Sequence, residues 1–316
     1  MKQDQSAILN LKSQIPMFRI VQLLQLVRFS HTLFALPFAL LAAVMAWALG
    51  ADGDPAAVWR WREWAGIVLC MVAARSAAMA FNRLADRRID AANPRTRMRH
   101  LPTGLLSTAS VTVFAVICSA VFVAATLLFL PNRLPVVLSL PVLAFLLGYS
   151  YTKRFTSLAH FWLGAALMLA PVCAWIALRG EAVLADPADL LPAVVLGAAV
   201  MLWVAGFDII YACQDVDFDR QSGLHSVPAR LGVPGALRLA AVCHAGMIAM
   251  LALLPVVFPL LDVVYGCGIA AVAGLLVYEH ALVRPDDLTR VNVAFFQVNA
   301  VVSLGLFAVT TIDLFT

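Results

Sequence analysis

The chain is 316 residues long, 63% hydrophobic and only 13% charged, with a mean hydropathy of +0.91. This composition excludes an ordinary soluble globular domain, in which charged residues make up about a quarter of the chain. The net charge of +4 does not predict a nucleic-acid partner, because the basic residues are spread over many short segments. We therefore expect an integral membrane protein, most of whose segments lie in the lipid bilayer.

Apolar segments recur along the whole chain, and crossing ~30 Å of hydrocarbon takes about 20 helical residues. Nine such segments are predicted: 31–50, 64–82, 108–130, 134–150, 157–178, 190–212, 236–257, 262–282 and 292–312. The first is expected to be a retained anchor, because it is long and lacks a small-residue cleavage site. The prediction is a single all-α domain over residues 1–316 with nine transmembrane helices, preceded by a cytoplasmic segment at residues 1–18.

Lys and Arg are concentrated in alternate connections, and this orients the chain because basic loops resist translocation. Six arginines lie between Arg83 and Arg99, and further basic residues follow the fourth, sixth and eighth segments. The other connections hold few, such as Arg60 and Arg133. We therefore expect an inner-membrane protein with its N-terminus and its polar motifs on the cytoplasmic side.

The first polar motif follows the second apolar segment and contains Asn82, Asp86 and Asp90. Residues four positions apart lie on one face of a helix, so a continuing helix places the three side chains in one stripe. Ionisable residues at a membrane boundary are costly and usually functional.

The second polar motif ends the sixth apolar segment. Asp208, Tyr211, Asp215 and Asp219 are three, four and four positions apart, which again predicts one helical stripe. Asp217 falls off that stripe.

The two motifs share a register, since Asp86 and Asp215 are 129 positions apart and Asp90 and Asp219 are too. This indicates two pseudo-repeated halves around a central cavity. Facing carboxylates repel one another unless a cation lies between them. Mg²⁺ prefers oxygen ligands and keeps phosphate oxygens and water in its shell. We therefore predict a magnesium–diphosphate site, with Lys153 and nearby arginines binding the remaining phosphate charge.

Such a site permits ionisation of an allylic diphosphate. Metal and basic groups stabilise the charge that builds on the leaving diphosphate. The allylic cation is then attacked by an electron-rich aromatic carbon, and the membrane cavity limits the water that would quench it.

At these motifs the chain resembles the UbiA superfamily of intramembrane aromatic prenyltransferases. That family carries Asn-x-x-x-Asp-x-x-x-Asp after the second helix, an Asp-rich motif after the sixth, and a Tyr-x-x-x-Lys pattern that Tyr149 and Lys153 match. The resemblance implies nine helices, Mg²⁺ and a polyprenyl diphosphate donor. The implied metal–diphosphate ligands are Asn82, Asp86, Asp90, Asp215 and Asp219. The implied substrate-binding residues are Arg28, Arg75, Asn82, Tyr149, Lys153, Arg154 and Tyr211. The implied catalytic residues are four of these ligands, Asp86, Asp90, Asp215 and Asp219, together with Asp208. Asp208 would orient the acceptor or take a ring proton.

One departure from the family's first motif leaves the identity of the acceptor open. Enzymes acting on 4-hydroxybenzoate commonly start the first motif with Asn-Asp, whereas this chain has Asn82-Arg83. This sequence and the stretch from Arg28 to Pro37 look closer to a 4-hydroxybenzoate polyprenyltransferase-like branch, some members of which are tied to menaquinone made through futalosine. The resemblance implies an aromatic carboxylic acid, either of the 4-hydroxybenzoate type for ubiquinone or of the naphthoate type for menaquinone.

The main alternative is a secondary transporter, which also gathers carboxylates near a pseudo-symmetric centre. Transporters usually place them in mid-span beside Gly or Pro, whereas these lie at helix ends among arginines. Glu279 and His280 are expected to face the cytoplasmic boundary.

Overall fold

The computed structural model describes residues 21–23, 25–26, 34–49 and 60–316. From residue 34 onward these form ten helices: α1 Leu36–Ala48, α2 Trp61–Ala92, α3 Thr108–Ala125, α4 Leu134–Thr152, α5 Ala159–Ala185, α6 Leu191–Ala212, α7 Val216–Gln221, α8 Val227–Val257, α9 Val263–Leu282 and α10 Val291–Asp313. Short 3₁₀ turns extend α3 and flank α6, and Ala294–Val298 within α10 is a π-helical turn.

Among the described residues, eight helices are long and apolar enough to cross a membrane. The helix α1 is apolar but only 13 residues long, and both ends of the predicted segment 31–50 lie outside the described residues. Each of the nine predicted segments therefore contains an apolar helix. The helix α2 continues for ten residues beyond its predicted end at residue 82, so Asn82, Asp86 and Asp90 share one helix as the spacing predicted.

The helix α6 is the most buried spanning helix, and α5 and α8 pack on either side of it. Trp203 and Val200 on α6 are completely buried. Gly164 permits the close approach of α5, because a Cβ at this position would lie 2.3 Å from the carbonyl oxygen of Met201. Small residues at such contacts are typical of helix packing in membranes.

The predicted stripe on the sixth helix is interrupted. The α-helix ends at Ala212, and a 3₁₀ turn at Cys213–Asp215 leads into α7. The Gln214 amide donates a hydrogen bond to the Tyr211 carbonyl at 3.2 Å, and such side-chain bonds compete with the helical ladder. Asp215 and Asp219 therefore follow a change of helix geometry.

The expectation that Glu279 faces a polar boundary is wrong, because its side chain lies inside the helix bundle. Glu279 is completely buried and accepts a hydrogen bond from Asn299 on α10 at 3.1 Å. His280 lies 3.0 Å from a ring nitrogen of His244 on α8. Polar side chains are buried when partners are available, and here the partners come from distant helices.

Candidate active site

Both polar motifs line one cavity of about 290 Å³ at the C-terminal ends of α2, α4 and α6. The structure brings most of the predicted site residues to this cavity. Those that line it are Arg75, Asn82, Asp86, Asp90, Tyr149, Lys153, Asp208, Tyr211, Asp215 and Asp219. Arg154 contacts the cavity through Asp86, and Arg28 lies outside the described residues.

Asp86 is the centre of the first charged cluster. Its side chain is 4% exposed, and it pairs with Lys153 Nζ at 3.1 Å and Arg154 Nη2 at 3.3 Å. The Asn82 amide donates to the same carboxylate at 3.2 Å. Arg154 also donates to the carbonyl of Ala85 at 2.7 Å. The end of α4 thus brings two positive charges to the first motif.

Asp90 lies one turn further along α2 and pairs with the loop that follows. Arg99 Nη1 is 2.7 Å from Asp90 Oδ1, and Arg83 Nη1 is 3.7 Å from Oδ2. Thr96 donates to the Asp90 carbonyl at 3.0 Å, which folds the loop back over the helix end. Oδ2 is buried and has no hydrogen-bond partner among the described residues, so one oxygen remains available to a ligand.

The same loop also reaches the second motif. Asn93 and the Nε of Arg95 donate to Asp215 Oδ1 at 3.1 Å and 2.8 Å, and Arg95 Nη2 pairs with Oδ2. Arg95 Nη1 donates to the Tyr211 hydroxyl at 2.9 Å. Burial alone lowers the pKa of Arg95, but its hydrogen bonds to Asp215 and the negative charge of that carboxylate raise the pKa above its usual value. Arg95 is therefore a permanent cation joining the two motifs.

Asp219 and Lys153 are held by the segment between α7 and α8. The backbone N–H of His225 donates to the Lys153 carbonyl at 2.7 Å. Ser226 caps α8, and the backbone N–H of Leu224 donates to the Asp219 carbonyl at 2.9 Å. This segment therefore ties the Tyr-x-x-x-Lys pattern to the second motif.

A second, apolar cavity of about 200 Å³ lies between α2, α3, α4 and α5. Small and aliphatic side chains line it, among them Leu138, Ala166 and Ala170. It is contiguous with the polar cavity, because both are lined by Arg75, Met79, Asn82, Tyr149, Leu163 and Leu167. The buried Nε of Arg75 has no hydrogen-bond partner among the described residues. A charged compartment thus lies next to an apolar one.

The other wall of the polar cavity carries aromatic rings and a His–Asp pair that the sequence did not reveal. Phe295 on the π-helical turn of α10 lies against Tyr211, with ring centroids 4.3 Å apart, and against Phe207 at 5.3 Å. Beside them, His160 Nδ1 is 2.7 Å from Asp208 Oδ2. His160 lies in the first turn of the apolar helix α5, 48 positions before Asp208. Its polar side chain at the start of an apolar segment is the only sequence feature that could have indicated a role in the site.

The carboxylates of the two motifs fit a magnesium ion. In the described part of the chain, no three His, Cys, Asp or Glu side chains converge closely enough to hold a metal by themselves. Mg²⁺ does not need such a cage, because it usually takes one or two carboxylates together with phosphate oxygens and water. Every donor from the two motifs is a carboxylate or amide oxygen, which is the chemistry that Mg²⁺ prefers.

Comparisons with known proteins identify the family of the chain. The family model described as "UbiA prenyltransferase family" matches residues 25–301. The 4-hydroxybenzoate octaprenyltransferase of Nitrosospira multiformis is 34% identical over 254 residues, covering 78% of this chain and 81% of that protein. The corresponding enzyme of Methylococcus capsulatus is 31% identical over 255 residues, covering 77% and 80%.

Two solved structures share the fold. A UbiA homolog from Aeropyrum pernix superposes with a TM-score of 0.77 at 32% identity, covering 90% of this chain and 98% of that one. A UbiA homolog from Archaeoglobus fulgidus, bound to DMAPP and Mg²⁺, superposes with a TM-score of 0.63 at 19% identity, covering 92% and 99%.

Proposed function

Because the chain belongs to the UbiA prenyltransferase family, we propose that it transfers a polyprenyl group from polyprenyl diphosphate to an aromatic carboxylic acid in a Mg²⁺-dependent reaction. The chain is an integral membrane polyprenyltransferase, which sets the transporter alternative aside. One observation carries the proposal: a cavity with five carboxylates and several cations adjoins an apolar cavity. A polyprenyl diphosphate has a charged head group that matches the polar cavity and an isoprenoid tail that matches the apolar cavity.

The donor is proposed to lie across the boundary between the two cavities. The isoprenoid chain lies between α2, α3, α4 and α5, where it stays out of water. The diphosphate lies beside Lys153, Arg154 and Arg95, whose N–H groups match phosphate oxygens. Arg75 lines both cavities with a buried and unpaired Nε, so it is placed at the junction of head group and tail.

The carboxylates of both motifs are proposed to hold the metal. Asn82, Asp86 and Asp90 bind from the side of α2, and Asp215 and Asp219 bind from the side of α6 and α7. Bound Mg²⁺ supplies electrostatic stabilisation of the negative charge on the leaving diphosphate. The protein contributes fixed geometry, because the Asn82–Asp86 and Asn93–Asp215 hydrogen bonds orient the carboxylates.

The acceptor is proposed to lie against Phe207, Tyr211 and Phe295, with Asp208 beside it to orient it or take the ring proton. Aromatic rings prefer tilted or offset contacts with one another, and these three already pack in that way. The names of the relatives support 4-hydroxybenzoate as the acceptor, and a naphthoate acid is the second candidate. Arg83 lines this cavity beside Asp90 and is the residue placed to distinguish them.

The site is proposed to open to the cytoplasm from the inner membrane. The basic loop after α2 supports this, because Arg95 and Arg99 occupy the site itself and such loops stay on the cytoplasmic side. Residues 1–18 would lie on that side, and residues 1–316 would form one domain.

Product analysis tests the proposal. Membranes containing the protein would receive isotope-labelled polyprenyl diphosphate, Mg²⁺, and either 4-hydroxybenzoate or a dihydroxynaphthoate, the latter offered as each of its carboxylate isomers. We expect a labelled prenylated product with one of these acids, detected by mass spectrometry, and none after chelation. Absence of product with either acid, from a protein that is expressed and folded, would refute the proposed function.

A further inference from the structure

The His160–Asp208 pair in the cavity wall joins the first residue of the second polar motif to a side chain outside both motifs. Both residues line the polar cavity, and their side chains are 6% and 18% exposed. A 2.7 Å contact between an imidazole nitrogen and a carboxylate oxygen is a short, well-formed hydrogen bond. The ion-pair partner of Lys153 and Arg154 is Asp86, whereas Asp208 is paired with His160.

The direction of this hydrogen bond follows from the other ring nitrogen. His160 Nε2 accepts the backbone N–H of Val227 at 3.4 Å. Val227 is the first residue of α8, and its N–H has no partner within that helix. A neutral imidazole that accepts at Nε2 carries its proton on Nδ1. The start of α8 therefore selects the tautomer that donates to Asp208.

We propose that His160 is a positioning residue for prenyl transfer: through its Nδ1–H it fixes the Asp208 carboxylate as the base that receives the ring proton. The proposal rests on the proposed function with 4-hydroxybenzoate as acceptor. Asp208 Oδ2 is engaged by His160, and no hydrogen bond to Oδ1 is seen in the described part of the chain. Oδ1 is thus the oxygen that takes the proton, beside the ring wall formed by Phe207 and Tyr211.

The step balances without any further reactant. The C1–O bond of the prenyl diphosphate breaks, and its electron pair leaves with the diphosphate. A pair from the acceptor ring forms the new carbon–carbon bond to C1. The C–H bond at the same ring carbon then breaks, its pair restores the aromatic ring, and the proton passes to Asp208 Oδ1. His160 keeps its own proton throughout, because Nε2 is already occupied by Val227.

Variants at position 160 separate this role from simple packing. His160→Phe fills the space but donates nothing, whereas the amide N–H of His160→Asn lies near the place of Nδ1 and can still reach Asp208. General-base catalysis contributes about 10²–10⁴-fold, and loss of a supporting partner removes part of it. We expect kcat with 4-hydroxybenzoate to fall about 10- to 100-fold in His160→Phe and to recover most of that loss in His160→Asn. The KM for the prenyl diphosphate should stay unchanged in both.

Deuterium at the ring positions of 4-hydroxybenzoate provides the readout that a structural defect would not change. When the base is misplaced, proton removal limits the rate, so a primary isotope effect on kcat should appear in His160→Phe and be smaller in His160→Asn. Asp208→Asn should show the same effect, whereas Asp86→Asn should lose rate without it.

Four results would overturn the inference. The first is near-native kcat without an isotope effect in His160→Phe. The second is no recovery in His160→Asn. Should His160→Phe fail to fold, His160→Asn is compared with His160→Gln, whose amide reaches the Nε2 position and not the Nδ1 position. The third result that would overturn the inference is a kcat of His160→Gln equal to or above that of His160→Asn. A native enzyme that prenylates a naphthoate acid but not 4-hydroxybenzoate would also overturn it, while leaving prenyl transfer intact. A native enzyme with no product at all would instead refute the proposed function.

Discussion

Replacing Asp86 with Asn removes one negative charge from the centre of the first cluster and almost nothing else. The side chain is buried and contacts Lys153, Arg154 and Asn82, and Asn keeps its size. Loss of one well-placed electrostatic group typically costs about 3 kcal/mol in the transition state, which corresponds to about 100-fold in rate. We therefore expect Asp86→Asn to lower kcat/KM by about 100-fold.

Folding should be affected far less. Lys153 and Arg154 are 35% and 37% exposed, so solvent screens both ion pairs and their loss should cost no more than about 1 kcal/mol. The matched control is Asp217→Asn, because Asp217 is exposed and lies outside the cavity, and its activity should be close to native. The assay is Mg²⁺-dependent prenyl transfer in membranes, with expression and thermal stability measured in parallel. Near-native turnover in Asp86→Asn, or full activity in excess chelator, would refute the two-motif mechanism.

Four further outcomes are expected. Asp215→Asn should lose activity about as strongly as Asp86→Asn, about 100-fold, because it removes the charge on the opposite side of the cavity; normal rates would contradict this. In a cysteine-free background, cysteines at the exposed positions Ala92 and Ser222 should react with an impermeant thiol reagent only in opened membranes, and labelling in intact cells would overturn the orientation. Arg83→Gln should raise the KM for the acceptor and not for the donor, as measured by varying each substrate in turn; the reverse pattern would place Arg83 with the diphosphate. Ala170→Phe should favour shorter prenyl diphosphates in competition assays, because it narrows the apolar cavity, and an unchanged preference would place the tail elsewhere.

The sequence predicted those parts of the site that depend on local periodicity. Asn82, Asp86 and Asp90 lie on one helix because their spacing matches one helical face, and nothing distant was needed to place them. The apolar segments predicted the spanning helices for a similar reason, since the membrane requires every backbone group to be paired within its own segment. The break after Ala212 escaped this reasoning, because a 3₁₀ turn as short as Cys213–Asp215 leaves no mark on the spacing of apolar and acidic residues.

The partners of these carboxylates could not be predicted in the same way. Arg95 meets Asp215 across 120 positions of sequence, and His160 meets Asp208 across 48. Such contacts depend on how helices pack, and arginines in a cytoplasmic loop are expected for topology alone. The burial of Glu279 could not be predicted for the same reason, since its partner Asn299 lies on another helix.

These long-range pairs bear on how the site binds a highly charged substrate inside a membrane. Buried carboxylates are costly unless paired, and the protein pairs them with its own cations: Asp86 with Lys153 and Arg154, and Asp215 with Arg95. A diphosphate that arrives with its counter-ion brings both negative and positive charge. The carboxylates can then bind the counter-ion while the basic side chains bind the phosphates. Each charged side chain thus exchanges a partner in the protein for one in the substrate, and no charge is left without a partner. Because Arg95 contacts Tyr211 and Asp215 together, this exchange also reaches the wall where the acceptor is proposed to lie. Donor binding should therefore precede and organise acceptor binding.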